Sequence, residues 1–185
     1  MTDQYAVIGN PVEHSLSPEI HAEFARVTGQ DISYDRILAP RESFRETVLA
    51  FRASGGRGLN VTLPFKHEAW RLAAVRSGFA LIAGAVNTLS FQGERIEGHN
   101  TDGIGLVRDL TLNLRVAVRG KRVLLMGAGG AGYGVMESLL REQPETVVVA
   151  NRTLEKAIAL VGHFEKLQSR ALQGISARRY EALAG

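Results

Sequence analysis

The sequence has 185 residues, of which 45% are hydrophobic and 22% are charged, which is the balance of a globular protein and excludes a disordered or fibrous one. It contains no cysteine, which excludes a disulfide framework, a thiolate zinc site and a cysteine nucleophile, and favours a reducing cytoplasm. The formal net charge is +3, but residues 1–151 are balanced and the whole excess of Lys and Arg lies in residues 152–185, so the charge does not indicate a nucleic-acid-binding surface.

The first residues lack the pattern of a secretory signal, since no basic segment is followed by an apolar run. Uncharged apolar stretches also stay far below the roughly 18 residues that a membrane span needs. We therefore expect a cytoplasmic protein without a membrane partner.

Short apolar runs alternate with amphipathic segments along the first 70 residues. In the first amphipathic segment Ser17 is expected to cap a helix, Pro18 to begin it, and Ile20, Phe24 and Val27 to face the core. The same periodicity reasoning predicts strands over 5–9, 34–38 and 58–62, helices over 17–28, 43–53 and 66–76, and a hairpin over 86–97. This β-α-β-α-β order predicts an α/β domain with a mostly parallel sheet.

A second unit is predicted to begin near residue 103. Its pattern indicates helices over 104–114, 135–141 and 153–167, strands over 122–126 and 146–150, and a glycine-rich turn over 127–134. A strand, a glycine-rich turn, a helix and a second strand form the first half of a Rossmann-type dinucleotide-binding domain. We expect a substrate-binding domain over 1–102 and an incomplete dinucleotide-binding domain over 103–185.

The glycine-rich turn fits the pattern G-x-G-x-x-G. Gly127 would allow the tight turn, Gly129 would let the backbone approach a pyrophosphate, and Gly132 would allow the helix to pack closely on the strand. Helix N-termini bind anions through unpaired N–H groups and the helix dipole. The predicted cofactor-binding residues of the turn are Gly127, Ala128, Gly129, Gly130, Ala131 and Gly132.

The residues after the second strand indicate which dinucleotide is bound. An NAD site usually places Asp or Glu about 20 residues beyond the glycines, whereas this chain has Asn151, Arg152 and Thr153 there, with Lys156 one helical step further on. The planar guanidinium of Arg152 suits a 2′-phosphate, and Asn151 and Thr153 offer neutral donors. The sequence therefore favours NADP over NAD, the alternative being that Arg152 only caps a solvated helix start.

Polar residues recur at the ends of the predicted strands of the first domain, where ligands of open α/β sheets bind. They lie in the runs Gly9-Asn-Pro-Val-Glu-His14-Ser15-Leu-Ser17-Pro18-Glu-Ile-His21, Asn60-Val-Thr62-Leu-Pro64-Phe-Lys66, Gly84-Ala-Val-Asn87-Thr88 and Gly98-His-Asn-Thr-Asp102-Gly103. These runs resemble the substrate-domain motifs of the shikimate dehydrogenase family. The glycine-rich turn and Asn151-Arg152-Thr153 are similar to the NADP motifs of that family, in the same order.

The resemblance implies NADPH-dependent reduction of 3-dehydroshikimate to shikimate, an oxidoreductase step of aromatic amino-acid biosynthesis. Ser15 and Ser17 would then bind the substrate carboxylate, and Thr62, Lys66, Asn87 and Asp102 its hydroxyls and carbonyl. Lys66 and Asp102 would be the catalytic pair, because hydride transfer to a ketone leaves an alkoxide that needs a proton donor. Lys66 would donate the proton, while Asp102 orients the substrate and Lys66.

Some features depart from the family pattern. Ala22 stands where the first motif usually continues with Asn, and Lys156 stands where Arg is common. Family members also continue with the rest of the cofactor domain and a C-terminal helix that carries a substrate-contacting glutamine. We therefore expect a truncated or partial member of the family.

Other functions are also compatible with the sequence. One is a quinate/shikimate dehydrogenase of broader specificity, and another is a non-catalytic module that binds shikimate and half of a nucleotide. A serine hydrolase is disfavoured because no G-x-S-x-G turn is present, and no metal site is predicted because the five histidines lack metal-ligand spacing. The expected partner is the small-molecule substrate, with no nucleic acid, and a homodimer is left open.

Overall fold

The computed structural model describes residues 2–171 and 177–179, and the chain divides into two compact units. The first unit is Met1–Asn100 and the second is Thr101–Gly185. The structural boundary thus falls two residues before the predicted boundary at 102/103. None of the helices in the described part of the chain combines the length and the apolar composition that a membrane-spanning helix needs.

The first unit is a mixed α/β layer built on a six-stranded sheet in the order β2-β1-β3-β5-β6-β4. Strand β1 pairs in parallel with β2 and β3, β4 pairs in parallel with β6, and β5 runs antiparallel to β3 and β6. In chain order the elements are β1 (Asp3–Gly9), α1 (Ser17–Thr28), β2 (Ile32–Leu38), α2 (Phe44–Ala53), β3 (Gly56–Val61), α3 (Lys66–Leu72), β4 (Val75–Arg76), α4 (Gly78–Ala83), β5 (Thr88–Gln92) and β6 (Arg95–His99). The predicted α/β fold with a mostly parallel sheet is confirmed.

The core of this unit lies where α2 and α3 pack on one face of the sheet. Alternate residues of a strand point to the same face, so Ala6 and Ile8 of β1 and Leu59 and Val61 of β3 are all buried there. The rings of Phe44 and Phe65 stack above these strands with their centroids 4.7 Å apart. Complete burial of such a side chain contributes about 1.5–3 kcal/mol to the free energy of unfolding. This packing therefore holds β1 and β3 in place, and with them the loops that leave their carboxyl ends.

Helix α1 differs from the prediction in two respects. Ser17 is its first residue and Leu16 occupies the N-cap without a side-chain cap, so the expected N-cap role of Ser17 is wrong. The apolar stripe is also not buried, because Ile20, Phe24 and Val27 are 46%, 58% and 68% exposed. A cavity of about 710 Å³, which Phe24 lines together with residues of β1, β2 and β3, separates part of α1 from the sheet; Ile20 and Val27 do not line it.

The predicted helix over 66–76 is shorter in the structure and is followed by two further elements. The backbone turns to an extended conformation at Ala73, and Ala74 donates a backbone hydrogen bond to Ile96 of β6 at 2.9 Å. Pairing with β6 thereby ends the helix before its apolar periodicity does. Helix α4 follows, capped by Ser77, whose Oγ accepts a hydrogen bond from the amide of Ala80 at 3.3 Å.

The second unit contains a three-stranded parallel sheet in the order β7-β8-β9. Its elements are α5 (Asp102–Arg108), which continues as a π-helical segment (Asp109–Asn113), then β7 (Arg122–Met126), α6 (Gly130–Arg141), β8 (Thr146–Ala150), α7 (Leu154–Ala171) and β9 (Ala177–Arg179). Helix α6 begins inside the predicted turn, five residues before the expected start at 135. Helices α5 and α6 pack so closely that their contact requires glycine. A Cβ on Gly103 of α5 would lie 2.8 Å from the carbonyl oxygen of Gly134 of α6.

Candidate functional site

Three predicted site residues of the first unit are brought together by backbone hydrogen bonds. Thr62 follows β3, Lys66 begins α3, and Asn87 precedes β5. The amide of Val86 donates to the carbonyl oxygen of Lys66 at 2.9 Å, and the amide of Val61 donates to that of Asn87 at 2.7 Å. The loops after β3 and before β5 are therefore held side by side.

Ser15 and Ser17 form a second part of this region, at the start of α1. The Ser15 hydroxyl donates to the Ser17 hydroxyl at 3.1 Å. The guanidinium of Arg36 on β2 donates to the backbone oxygen of Ser15 at 2.6 and 2.9 Å and also to the carboxylate of Glu19. These bonds fix the backbone that carries both serines, and the hydrogen bond from Arg36 lowers the pKa of Glu19.

A row of hydrogen-bonded side chains runs across the sheet towards Asn87. The Tyr34 hydroxyl donates to Oδ1 of Asn60 at 2.6 Å, Nδ2 of Asn60 donates to the Thr88 hydroxyl at 3.3 Å, and that hydroxyl donates to Oδ1 of Asn87 at 3.0 Å. We call Tyr34, Asn60, Thr88 and Asn87 the polar row. Since every bond has the same direction, the row sets which end of each amide carries the donor.

Tyr34 is the first member of the polar row and remains a donor over the physiological pH range. Burial raises the pKa of Tyr34 to about 12, against a smaller lowering by a hydrogen bond with Ser17. The His21 ring stacks on Tyr34 with centroids 4.0 Å apart, and Nδ1 of His21 lies 2.8 Å from the backbone oxygen of Ser17. Tyr34 therefore connects the serine segment to the polar row.

Sequence reasoning did not assign a role to three members of the polar row. Asn60 and Thr88 lie inside the motif runs, beside Thr62 and Asn87, so proximity in sequence was a usable signal for them. Tyr34 gave no such signal, because a tyrosine within a strand is most simply interpreted as part of a half-buried sheet face.

The predicted catalytic pair is divided between the two units. Lys66 lies in the first unit and Asp102, the first residue of α5, lies in the second. Within the first unit, buried Asn100 donates from Nδ2 to the backbone oxygen of Ala85 at 3.0 Å, which supports the loop that leads to Asn87. The pairing of Lys66 with Asp102 stays a prediction.

In the second unit the glycine-rich turn joins β7 to α6. Gly127 has a φ of +107°, which disfavours a side chain, and its amide donates to the backbone oxygen of Ala150 at 2.8 Å. A Cβ on Gly132 would lie 2.5 Å from the carbonyl oxygen of Gly127, whereas a Cβ on Gly129 would have nothing within 4 Å. The turn is thus tight on its inner side and open at Gly129, where α6 presents its first-turn amides.

The segment after β8 lies against this turn. Oδ1 of Asn151 accepts a hydrogen bond from the amide of Ala128 at 3.1 Å, and Nδ2 of Asn151 donates to the backbone oxygen of Thr153 at 2.8 Å. Arg152 and Lys156 are exposed. A small cavity of about 170 Å³ is lined by Met126, Gly127, Ala150, Asn151 and Arg152. An exposed guanidinium beside an open glycine turn is suited to an anionic nucleotide.

Two family models match this chain. Residues 7–89 match the shikimate dehydrogenase substrate binding domain, and residues 110–181 match shikimate / quinate 5-dehydrogenase. The first match covers the polar row, and the second covers the glycine-rich turn and Arg152, whereas Asp102 lies between the two matched ranges.

Curated relatives agree with these matches. The shikimate dehydrogenase (NADP(+)) of Chromobacterium violaceum is 52% identical over 185 residues, which is 100% of this chain and 66% of the relative. The shikimate dehydrogenase (NADP(+)) of Alkalilimnicola ehrlichii is 58% identical over 164 residues, which is 89% of this chain and 61% of the relative. The chain thus spans just under two thirds of the length of these relatives.

Solved structures show the same fold. Shikimate 5-dehydrogenase from Thermus thermophilus, solved in complex with NADP(H) and shikimate, aligns with a TM-score of 0.83 at 34% identity, covering 97% of this chain and 63% of that one. Shikimate dehydrogenase from Aquifex aeolicus aligns with a TM-score of 0.83 at 35% identity, covering 96% and 62%. On these matches, the chain belongs to the shikimate dehydrogenase family.

Proposed function

We propose that this protein is a shikimate dehydrogenase that reduces 3-dehydroshikimate to shikimate with NADPH, a step of aromatic amino-acid biosynthesis. The observation that carries the proposal is the combination of a directed polar row in one unit with an open glycine-rich turn beside Arg152 in the other. The names of the curated relatives support the same reaction and cofactor.

The first unit supplies groups that suit a polyhydroxylated carboxylate. Ser15 and Ser17, whose hydroxyls are 3.1 Å apart, would donate to the substrate carboxylate. Thr62, Lys66 and Asn87 would bind the ring hydroxyls and the carbonyl. The polar row supports this assignment for Asn87, because Thr88 engages its Oδ1 and so directs its Nδ2 the other way.

The second unit fits NADP. The first-turn amides of α6 and the open position at Gly129 suit the pyrophosphate. Exposed Arg152, with Thr153 and Lys156 nearby, suits the 2′-phosphate, because the guanidinium can donate two parallel hydrogen bonds to it. The bound nucleotide supplies the hydride that reduces the ketone.

Lys66 and Asp102 complete the proposed chemistry. When the substrate ketone gains a hydride at carbon, its oxygen becomes an alkoxide that must take up a proton. The Lys66 ammonium would donate that proton, which yields the alcohol and a neutral amine that is reprotonated from water. Asp102 would orient the substrate and Lys66 through hydrogen bonds. The cytoplasm remains the proposed location, and a homodimer remains one assembly to test.

The test is the rate of NADPH oxidation with 3-dehydroshikimate, followed by absorbance at 340 nm, for the wild type and Lys66→Ala. We expect kcat of the variant to fall about 10²- to 10⁴-fold, the usual contribution of a proton-transfer group. Lys121→Ala is the matched control, since Lys121 is an exposed lysine of the second unit. A Lys66→Ala rate within threefold of the wild type would contradict the catalytic assignment.

Two further measurements separate the alternatives. Comparable rates with quinate and with shikimate in the reverse direction would favour the broader quinate/shikimate dehydrogenase, an activity that the second family model also names. Shikimate binding in calorimetry without any NADPH-dependent turnover would instead favour the non-catalytic binding module.

A further inference from the structure

The Asn151 side chain makes two hydrogen bonds, one to the glycine-rich turn and one within its own segment after β8. Its Oδ1 accepts from the amide of Ala128 in the glycine-rich turn at 3.1 Å, and its Nδ2 donates to the backbone oxygen of Thr153 at 2.8 Å. An asparagine side chain has one carbonyl oxygen and one NH₂ group. Both groups are therefore engaged by backbone, and the orientation of the amide is fixed.

The bond to Ala128 lies at a sensitive position of the turn. Ala128 is 5% exposed, so its amide would be buried without this partner. The neighbouring amide of Gly127 donates to the backbone oxygen of Ala150 at 2.8 Å. Two consecutive amides thus tie the turn to the end of β8, one through the main chain and one through the Asn151 side chain.

This arrangement determines where the start of α6 lies. The turn leads from Gly127, at a φ of +107°, through Ala128 and Gly129 into the first residue of the helix, Gly130. Releasing the Ala128 amide would let the turn take up other backbone conformations, since glycines restrict φ and ψ least. The first-turn amides of α6 would then shift relative to the end of β8 and to Arg152.

We propose that Asn151 is a positioning residue that holds the glycine-rich turn in its nucleotide-binding conformation through the Ala128 amide, while Arg152 contacts the 2′-phosphate. The inference rests on the proposed NADP function. It also revises the expectation from the sequence that Asn151 itself offers a donor to the 2′-phosphate.

The two roles predict different patterns of nucleotide affinity. NADPH and NADH share the pyrophosphate and differ by the 2′-phosphate. Loss of the turn conformation weakens both nucleotides by the same factor. Loss of a 2′-phosphate contact weakens NADPH and leaves NADH nearly unchanged. The ratio of the two dissociation constants therefore distinguishes a positioning residue from a phosphate ligand.

The experiment titrates NADPH and NADH into the 185-residue protein by calorimetry, for the wild type, Asn151→Ala and the matched variant Arg152→Ala. We expect Asn151→Ala to weaken the binding of both nucleotides about tenfold or more. The Ala128 amide would lose its partner, and the turn would leave its nucleotide-binding conformation. We expect Arg152→Ala to weaken NADPH about tenfold or more and NADH less than twofold. Far-UV circular dichroism of each variant checks that it is folded.

A second measurement needs no nucleotide. Hydrogen exchange of the Ala128 amide, followed by NMR, should accelerate at least about tenfold in Asn151→Ala while the amides of the β7–β8 ladder keep their wild-type rates. Unchanged exchange at Ala128 would overturn the inference even if Asn151→Ala were partly unfolded elsewhere.

The remaining outcomes separate this inference from the proposed function. If the wild type binds both nucleotides and Asn151→Ala weakens only NADPH, Asn151 is a phosphate ligand and the positioning role is wrong. If the wild type binds neither nucleotide, the NADP proposal fails, and the role of Asn151 in nucleotide binding fails with it.

Discussion

The candidate sites of the two units differ in the groups that they offer to a ligand. In the first unit the site depends on side-chain atoms, such as the Tyr34 hydroxyl and the amides of Asn60 and Asn87. In the second unit the glycine-rich turn depends on the absence of side chains at Gly127 and Gly132, although Asn151 and Arg152 beside it act through theirs. A polyhydroxylated substrate needs donors and acceptors of defined direction, whereas a pyrophosphate needs several amides at close range. Removing atoms should therefore damage the first site, and adding atoms should damage the turn.

The largest effect is expected where an atom is added to the turn. Gly132→Ala places a Cβ 2.5 Å from the carbonyl oxygen of Gly127, so the turn or α6 must shift. We expect a loss of about 1–3 kcal/mol in the free energy of unfolding of the second unit and at least tenfold weaker binding of NADPH and NADH. Urea unfolding and calorimetric titration measure the two effects. If Gly132→Ala kept the stability and the nucleotide affinity of the wild type, the turn would tolerate added atoms. The proposed difference between the two sites would then be wrong.

An intermediate effect is expected where an atom is removed from the polar row. Burial raises the pKa of Tyr34 from its ordinary value of 10.0 to about 12, so folding favours the neutral phenol. This contribution to stability is complete below pH 10 and is lost as the pH rises through about 12. Tyr34→Phe should therefore make the free energy of unfolding fall less steeply between pH 10 and 12, while costing about 0.5–1.5 kcal/mol at pH 8 for the lost hydrogen bond.

Urea midpoints measured from pH 8 to pH 12 test this prediction, and shikimate titration of the same variant reports on the site. We expect weaker shikimate binding in Tyr34→Phe, because Asn60 and Thr88 lose the donor that orients them. If Tyr34→Phe and the wild type lost stability equally steeply between pH 10 and 12, the fold would not raise the pKa of Tyr34. The role of Tyr34 as the first donor of the polar row would then be wrong.

The smallest effect is expected at a glycine outside both sites, which also serves as the control for the turn. Gly162 lies in α7, and a Cβ there would have nothing within 4 Å. Gly162→Ala should therefore raise the free energy of unfolding by about 0.5–1 kcal/mol, the helix-propensity difference, and leave nucleotide affinity unchanged. Gly132→Ala and Gly162→Ala should therefore change the free energy of unfolding in opposite directions, which would show that only the turn requires glycine. A loss of stability in Gly162→Ala would contradict this.

Local patterns predicted an element's limits only where turn residues bound it on both sides. Strands β7 and β8 have the predicted limits, whereas β1, β2 and β3 each begin two residues earlier than predicted. Helix α3 ends early because Ala74 bonds to Ile96, a residue 22 positions further along the chain, and this contact leaves no local pattern. The exposed stripe of α1 was misassigned for a related reason: amphipathic spacing shows that a helix has an apolar face, but not what covers it.

The roles of the candidate site residues stay predictions, and the sequence indicated only part of their surroundings. The motif runs group residues that are close in sequence, such as Thr62 and Lys66 at the junction of β3 and α3. Tyr34 was missed because its partner Asn60 is 26 positions away, and only the sheet order brings the two together. The Asn151 side chain was assigned to a ligand because no local pattern shows that it accepts a hydrogen bond from the Ala128 amide, 23 positions earlier in the chain.

The hydrogen bond from Ser15 to Ser17 has a consequence for any anion that binds there, and it concerns hydrogen atoms rather than positions. A hydroxyl has a single hydrogen to donate, so an anion that accepts the hydrogen of Ser15 must withdraw it from Ser17, its present acceptor. An anion held by both hydroxyls therefore replaces the Ser15–Ser17 hydrogen bond, and the two cannot exist together.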